Sequence, residues 1–307
     1  MKLVERDSRL SAQSLCCWVE KNLERFEPVR RARLPLFEEV KYIGDLSLIL
    51  LALASQKKRL LDSSFQDWST HIARRLWPSV EAYFEPTPWV EVLEEAKCRP
   101  VSVLPLMIVP ALEIVSGERS ARHEKVLESI GAARENSNGL TIEIAFVCDL
   151  AGMLNCSEQA AGEMSSRLTP QDGAEAYASN LYNLAHAIFF GTSMGDRDLP
   201  WPVDRREWLS HRLAELAATR VEKGDFDLGA ELILCSSWIQ PEIFAELGAE
   251  LALLSELAES RGSIPPFSPG RDRQVNDFAR CYHPTIFGLA VLAEYSAWNA
   301  SLTARTF

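Results

Sequence analysis

Apolar residues recur three and four positions apart along most of the chain, the period of an amphipathic α-helix, and hardly any stretch shows the sustained alternation of a strand. The pattern predicts an all-α protein. Ser11 to Phe26 carries Leu15, Trp18, Val19, Leu23 and Phe26 on one face behind Ser11 as a candidate N-cap. Phe37 to Ala54 is apolar nearly all round, and Asp62 to Phe84 is amphipathic through Phe65, Trp68, Ile72, Leu76, Trp77, Val80 and Phe84. A short helix over Trp89 to Ala96 precedes the apolar run Val101 to Val115, where Pro105 and Pro110 must either kink the helix or sit in a first turn. Ser120 to Ala133 reads as a polar helix, Glu135 to Gly139 as a turn, Leu140 to Leu154 as buried and Ser157 to Leu168 as exposed. Asp172 to Gly191 forms a long helix, followed by a loop to Pro202. Asp204 to Val221, Asp225 to Trp238 and Pro241 to Ser260 are three further helices, and Ser263 to Gly270, with three prolines, is irregular. His283 to Trp298 closes the chain as a buried helix with Pro284 in its first turn.

The helices alternate in character. Phe37 to Ala54, Val101 to Val115, Leu140 to Leu154, Asp172 to Gly191, Asp225 to Trp238 and His283 to Trp298 are of buried type, with amphipathic helices between them. Inner helices covered on both sides and outer ones covered on one would give that alternation. Asp45, Asp149, His186, Glu231 and His283 mark successive inner helices about every 40–50 residues, with one pair skipped after the first. The expected architecture is one α-helical domain over residues 1–307, its paired helices forming a complete or partial α/α toroid or, as the alternative, an open helical-repeat solenoid.

Charge and composition narrow the partners. With 32 basic against 43 acidic residues the net charge is -11, which disfavours a phosphate backbone, and the cluster Arg30-Arg31-Ala32-Arg33 is short enough to be a solvated loop. No nucleic-acid partner is expected. The apolar runs fall short of a membrane span and the N-terminus lacks a signal-peptide core, so neither a membrane partner nor secretion is expected and the cytoplasm is the expected compartment. Seven scattered cysteines suit reduced, mostly buried thiols rather than a disulfide framework.

Ionisable residues inside very apolar helices carry the chemical interest, because burying a charge is costly unless it is paired or binds something. Asp45, Asp149, His186 and Glu231 each lie in such a context. Each alone reads more readily as a cap, a bridge or a satisfied core histidine, but four together suggest a site. Asp225 and Asp227 begin an inner helix and read as first-turn acids suited to its dipole. The stretch Asp277 to His283 adds a carboxylate, the thiol of Cys281 and an imidazole. Cys281, His283 and His186 are candidate ligands for a zinc or iron ion, with Asp277 or Cys235 as further donors, and Cys281 beside a histidine is a candidate nucleophile. There is no CxxC, HExxH, phosphate loop or dinucleotide fingerprint.

Tyr282-His283-Pro284-Thr285, running into Ile286-Phe287-Gly288-Leu289-Ala290, resembles the last inner helix of α/α-toroid proteins such as protein prenyltransferase β subunits and terpene cyclases. That resemblance implies zinc ligation by His283, although the Asp and Cys ligands of the prenyltransferases have no clear counterpart. Over its length the chain looks more like the uncharacterised bacterial family DUF6895. The residues that carry this likeness are Tyr42 to Leu53 with Asp45, the His-x-x-Phe-Phe-Gly-Thr-x-x-Gly block from His186 to Gly195, and Glu231 followed by Tyr282 to Thr285. Pro284 stands where that family leads one to expect Thr. The resemblance implies a tailoring role near biosynthetic genes for peptides and other secondary metabolites.

Two functions are therefore expected to compete. One is an enzyme acting on a small-molecule or peptide-derived intermediate, with His186 and His283 as bases or ligands and Asp149, Glu231 and Asp45 as their carboxylate partners. The other is a noncatalytic adaptor or ligand-binding protein. Convergence of these polar residues favours the first, and their dispersal into helix caps the second.

Overall fold

The computed structural model describes residues 8–29, 36–54, 63–84, 104–119, 142–150, 181–268 and 277–305. All regular structure among them is helical, apart from a single bridge between Asp225 and Phe267. The helices expected over Trp89 to Ala96, Ser120 to Ala133 and Ser157 to Leu168, the turn at Glu135 to Gly139, the first part of Asp172 to Gly191 and the Arg30 cluster lie outside the described residues.

The chain forms two compact units. One unit comprises Leu23–Ala54 and Asp67–Ser179. Within it α2 (Leu36–Ala54) packs on α4 (Leu104–Ser116), and α4 on α5 (Ile142–Leu150). The α2–α4 approach is set by Gly44, where an added Cβ would fall 2.5 Å from Leu104 Cγ. Pro105 takes the first turn of α4, as its missing N–H permits, whereas Pro110 lies inside the helix. From Asp67 onward α3 (Ser63–Phe84) belongs to the same unit. Arg74 of α3 donates to the Ser116 carbonyl at 2.9 Å, placing a cation at the C-terminal end of α4, and the Tyr83 hydroxyl bonds to the Glu39 carboxylate.

The other unit comprises Met1–Asn22, Ser55–Gln66 and Asn180–Phe307, and its core is α8 (Phe226–Ile239). Every residue of α8 except Asp227 is buried, because α6 (Leu181–Gly191), α7 (Val203–Glu222) and α10 (Phe278–Arg305) pack around it. A helix apolar on all sides has no face to give to water. The α7–α8 hairpin turns through Gly224 at a φ of 72° and restarts at Asp225, whose side chain caps α8 by accepting from the Leu228 amide. α1 (Ser8–Lys21) rests on α9 (Gly248–Arg261) and α10. There Ser11 Oγ donates to Glu259 at 2.8 Å, Ser14 Oγ to the Ala258 carbonyl at 3.0 Å, and Trp18 stacks on Phe278.

Three element boundaries differ from the sequence expectation. The helix expected over Ser11 to Phe26 begins at Ser8, so Ser11 lies inside α1 and not at its N-cap, and it ends at Lys21 before a 3-10 turn, Leu23–Arg25. Pro241 to Ser260 is broken into a 3-10 turn, Pro241–Ala245, and α9, which ends at Gly262 in the left-handed conformation. α10 begins at Phe278 and not at His283, so Pro284 lies inside the helix and not in its first turn. Asp277 makes the earlier start possible: its carboxylate accepts from the Ala279 amide at 3.2 Å, and its carbonyl takes the Arg280 and Cys281 amides. The irregular segment after Ser263 is tethered to the hairpin, with Phe226 N–H bonded to Pro266 O and Ser268 N–H to Gly224 O.

Candidate functional site

α8 carries Asp227 and Glu231 four positions apart, which puts both carboxylates on one face. That face meets α10 at His283. Nδ1 of His283 lies 2.7 Å from Asp227 Oδ1, and Nε2 lies 3.7 Å from Glu231 Oε1. An ionised carboxylate only accepts, so Nδ1 carries the ring proton and donates it to Asp227, leaving Nε2 turned toward Glu231. One ligand-type atom from each of these three residues lies within 4.8 Å of the others.

Exposure grades across the cluster. The Glu231 side chain is fully buried, those of Asp227 and His283 are each 20% exposed, and Tyr182 of α6 is 43% exposed on the solvent side. The Tyr182 hydroxyl donates to Asp227 Oδ2 at 3.4 Å. Aromatic rings form the flank: Phe287 lies 4.6 Å from the His283 ring and Tyr282 5.8 Å, while Phe287 stacks on Phe189, which meets Trp238 edge-on.

The field of the carboxylates reaches their neighbours. Burial, then Asp227, Glu231 and Asp225, hold the Tyr182 hydroxyl well above its ordinary value, so it stays a donor. Burial, then Glu231, pushes up the Cys235 thiol, which donates to the Ala185 carbonyl at 3.7 Å and thereby has a structural place. Burial also raises the Asp225 carboxyl, against the opposing pull of the Leu228 amide and Arg220.

Of the residues singled out from the sequence, the structure joins His283 and Glu231. His186 is half-buried on α6 with its ring 6.1 Å from those of Phe189 and Phe190, outside the three-residue cluster. Asp45 on α2 and Asp149 on α5 are half-buried and belong to the other unit. Cys281 is buried on α10 but is not in the cluster; two residues before His283 it is turned about 200° around the helix and faces elsewhere. That geometry also separates it from His283 as a nucleophile–base pair. Asp277 serves as the α10 cap.

The residue passed over was Asp227, whose first-turn position was reason enough for its charge. Its spacing to Glu231 was the available signal, since i and i+4 acids on a buried helix share a face.

A family model described as a domain of unknown function, DUF6895, matches residues 12–293 of the 307. No curated protein and no solved structure matches the chain.

Proposed function

We propose, for a chain that belongs to the DUF6895 family, an enzyme of tailoring type acting on a small-molecule or peptide-derived intermediate, with Asp227, His283 and Glu231 as its reactive centre. The observation that carries this reading is the 2.7 Å bond that fixes His283 by Nδ1 and aims Nε2 at the buried Glu231. Asp227 sets the tautomer and orientation of the ring, and Glu231 stabilises positive charge that develops on it. Nε2 is then the working atom, able to take a proton from a substrate or to hold an ion. Tyr182 marks the solvent side, and the rings of Tyr282 and Phe287 offer an apolar flank against which a substrate can lie.

Within the same proposal the helices pair as hairpins into a complete or partial α/α toroid, with an open solenoid as the alternative. The α7–α8 hairpin, with its short turn through Gly224, supports a paired-helix unit. His186 contributes to the aromatic flank beside Phe189, while Asp45 and Asp149 are not needed at this centre. The acidic net charge supports a substrate other than nucleic acid.

The test is untargeted mass spectrometry of source-cell metabolite extract incubated with the wild type or with His283→Gln of unchanged circular dichroism. Consumption of a compound by the wild type alone supports the reading. If no compound is consumed, or if both proteins consume the same ones, the enzyme reading fails and the noncatalytic binding role replaces it.

A further inference from the structure

The geometry points to a divalent transition-metal site of the zinc and iron(II) class, in which His283 Nε2 and the Glu231 carboxylate are the direct protein ligands and Asp227 positions the imidazole. This inference rests on the reading of the cluster as the reactive centre and names the cofactor that the centre takes.

Three observations carry it. The first is distance. Nε2 and Oε1 lie 3.7 Å apart, too far for a direct hydrogen bond and within ion-pair reach. Metal bonds of about 2.1 Å would span that gap at an angle of about 125°, slightly wider than the trigonal angle, without moving either side chain far.

The second is orientation. A ligating histidine usually donates its other ring N–H to a carboxylate, which fixes the ring and makes the free nitrogen more basic. Asp227 does this at 2.7 Å, and Tyr182 holds the second oxygen of the same carboxylate. The support for the histidine is therefore built on two helices besides its own, α6 and α8 against α10.

The third is charge. With an imidazolium, two carboxylates and one cation leave the trio at a net of -1, in a place where Glu231 is fully buried. A neutral imidazole with a divalent ion brings the same trio to zero, which removes the cost of a buried net charge. Nitrogen and oxygen donors without a thiolate suit zinc, iron(II) or manganese over copper(I), and the positions not filled by protein are open to water and substrate. Cys281 faces away from this centre, so the ligand set is imidazole and carboxylate.

The experiment is metal titration of the chelator-stripped full chain with zinc chloride, read by calorimetry and by elemental analysis after gel filtration. One ion per chain is expected, with affinity falling at least 100-fold in Glu231→Gln and in His283→Gln, and about 10- to 100-fold in Asp227→Asn. Cobalt(II) in place of zinc adds a readout, since visible absorption typical of a low-coordinate ion should appear in the wild type and vanish in Glu231→Gln. Asp227→Asn keeps the inference falsifiable if a buried substitution fails to fold, because Asp227 is part-exposed. Folded wild type that retains less than one ion per chain, or affinity unchanged in Asp227→Asn, overturns the metal site. If the ion is absent but turnover still depends on His283, the metal inference alone fails and acid–base chemistry at the same centre stands. If zinc binds as expected but no compound is turned over, the site survives and the enzyme reading fails.

Discussion

Gly229 sits between Asp227 and Glu231 on α8 and faces Val221 of α7. An added Cβ there would fall 2.6 Å from Val221 Cγ2 and 3.6 Å from the Val221 backbone nitrogen. Only the side-chain contact is prohibitive, and relieving it takes a displacement of roughly 1 Å to reach ordinary van der Waals separation. Overpacking of that kind typically costs about 1–3 kcal/mol, whereas alanine in place of glycine within a helix returns about 1 kcal/mol. Gly229→Ala should therefore destabilise by about 0–2 kcal/mol, a range too wide to be decisive alone. A double-mutant cycle with Val221→Ala isolates the contact, because the helix-propensity gain appears in both Gly229→Ala backgrounds and cancels. The double variant should be about 1–3 kcal/mol more stable than the sum of the single effects predicts, the whole of the overpacking term. Urea unfolding followed by circular dichroism measures each corner of the cycle. Additivity within about 0.5 kcal/mol would refute the claim that Val221 sets the approach of α7 to α8. Zinc affinity should follow the same cycle, weaker in Gly229→Ala and restored in the double variant, since a displaced α8 moves Glu231 relative to His283.

Glu294 of α10 is 7% exposed and accepts from Trp238 Nε1 at 2.6 Å and from Ser237 Oγ at 3.3 Å, so Glu294→Ala should lower unfolding stability by about 1.5–3 kcal/mol, and Glu294→Gln, which keeps an acceptor, by less. Asp225→Ala should cost about 1 kcal/mol through loss of the cap, but Asp225→Asn should be close to neutral. Because burial raises the Asp225 carboxyl in the folded state, the native state holds its proton more tightly than the unfolded chain. Its contribution to stability therefore grows as pH falls through the carboxylate range, and Asp225→Asn should remove that component from a stability–pH curve. Spectrophotometric titration should find the Tyr182 hydroxyl un-ionised where ordinary tyrosines ionise, as the difference between wild type and Tyr182→Phe. Peptide mapping after brief alkylation of native protein should find Cys17 labelled before the buried Cys16, Cys148, Cys235 and Cys281; equal labelling would contradict the burial of α1 against α9 and α10.

Much of the helical content was legible because the cue for it is local. Leu15 and Val19, or Leu213 and Ala217, lie on one face whatever the rest of the chain does, and the buried helices announced themselves by being apolar on every side. Boundaries were less legible: the Asp277 side chain starts α10 before Pro284, and the α9 region breaks into a 3-10 turn and a helix with no side-chain cap to mark the break. His283 and Glu231 stood out as ionisable residues among apolar ones. Asp227 did not, since a first-turn acid already has a local explanation in the helix dipole.

By itself, then, the sequence determined an all-helical chain, the identity of its most buried helices and two of the three residues in the cluster. Only the tertiary structure decided that α8 lies against α10 and that Asp227 takes Nδ1 of His283 while Nε2 faces Glu231. It also decided that Cys281 is turned away, despite being nearer to His283 in the chain than either carboxylate. The physical reason is that periodicity records which side of a helix avoids water. It carries no label for the helix that will cover that side, and a site made by residues more than fifty positions apart exists only once that choice is made.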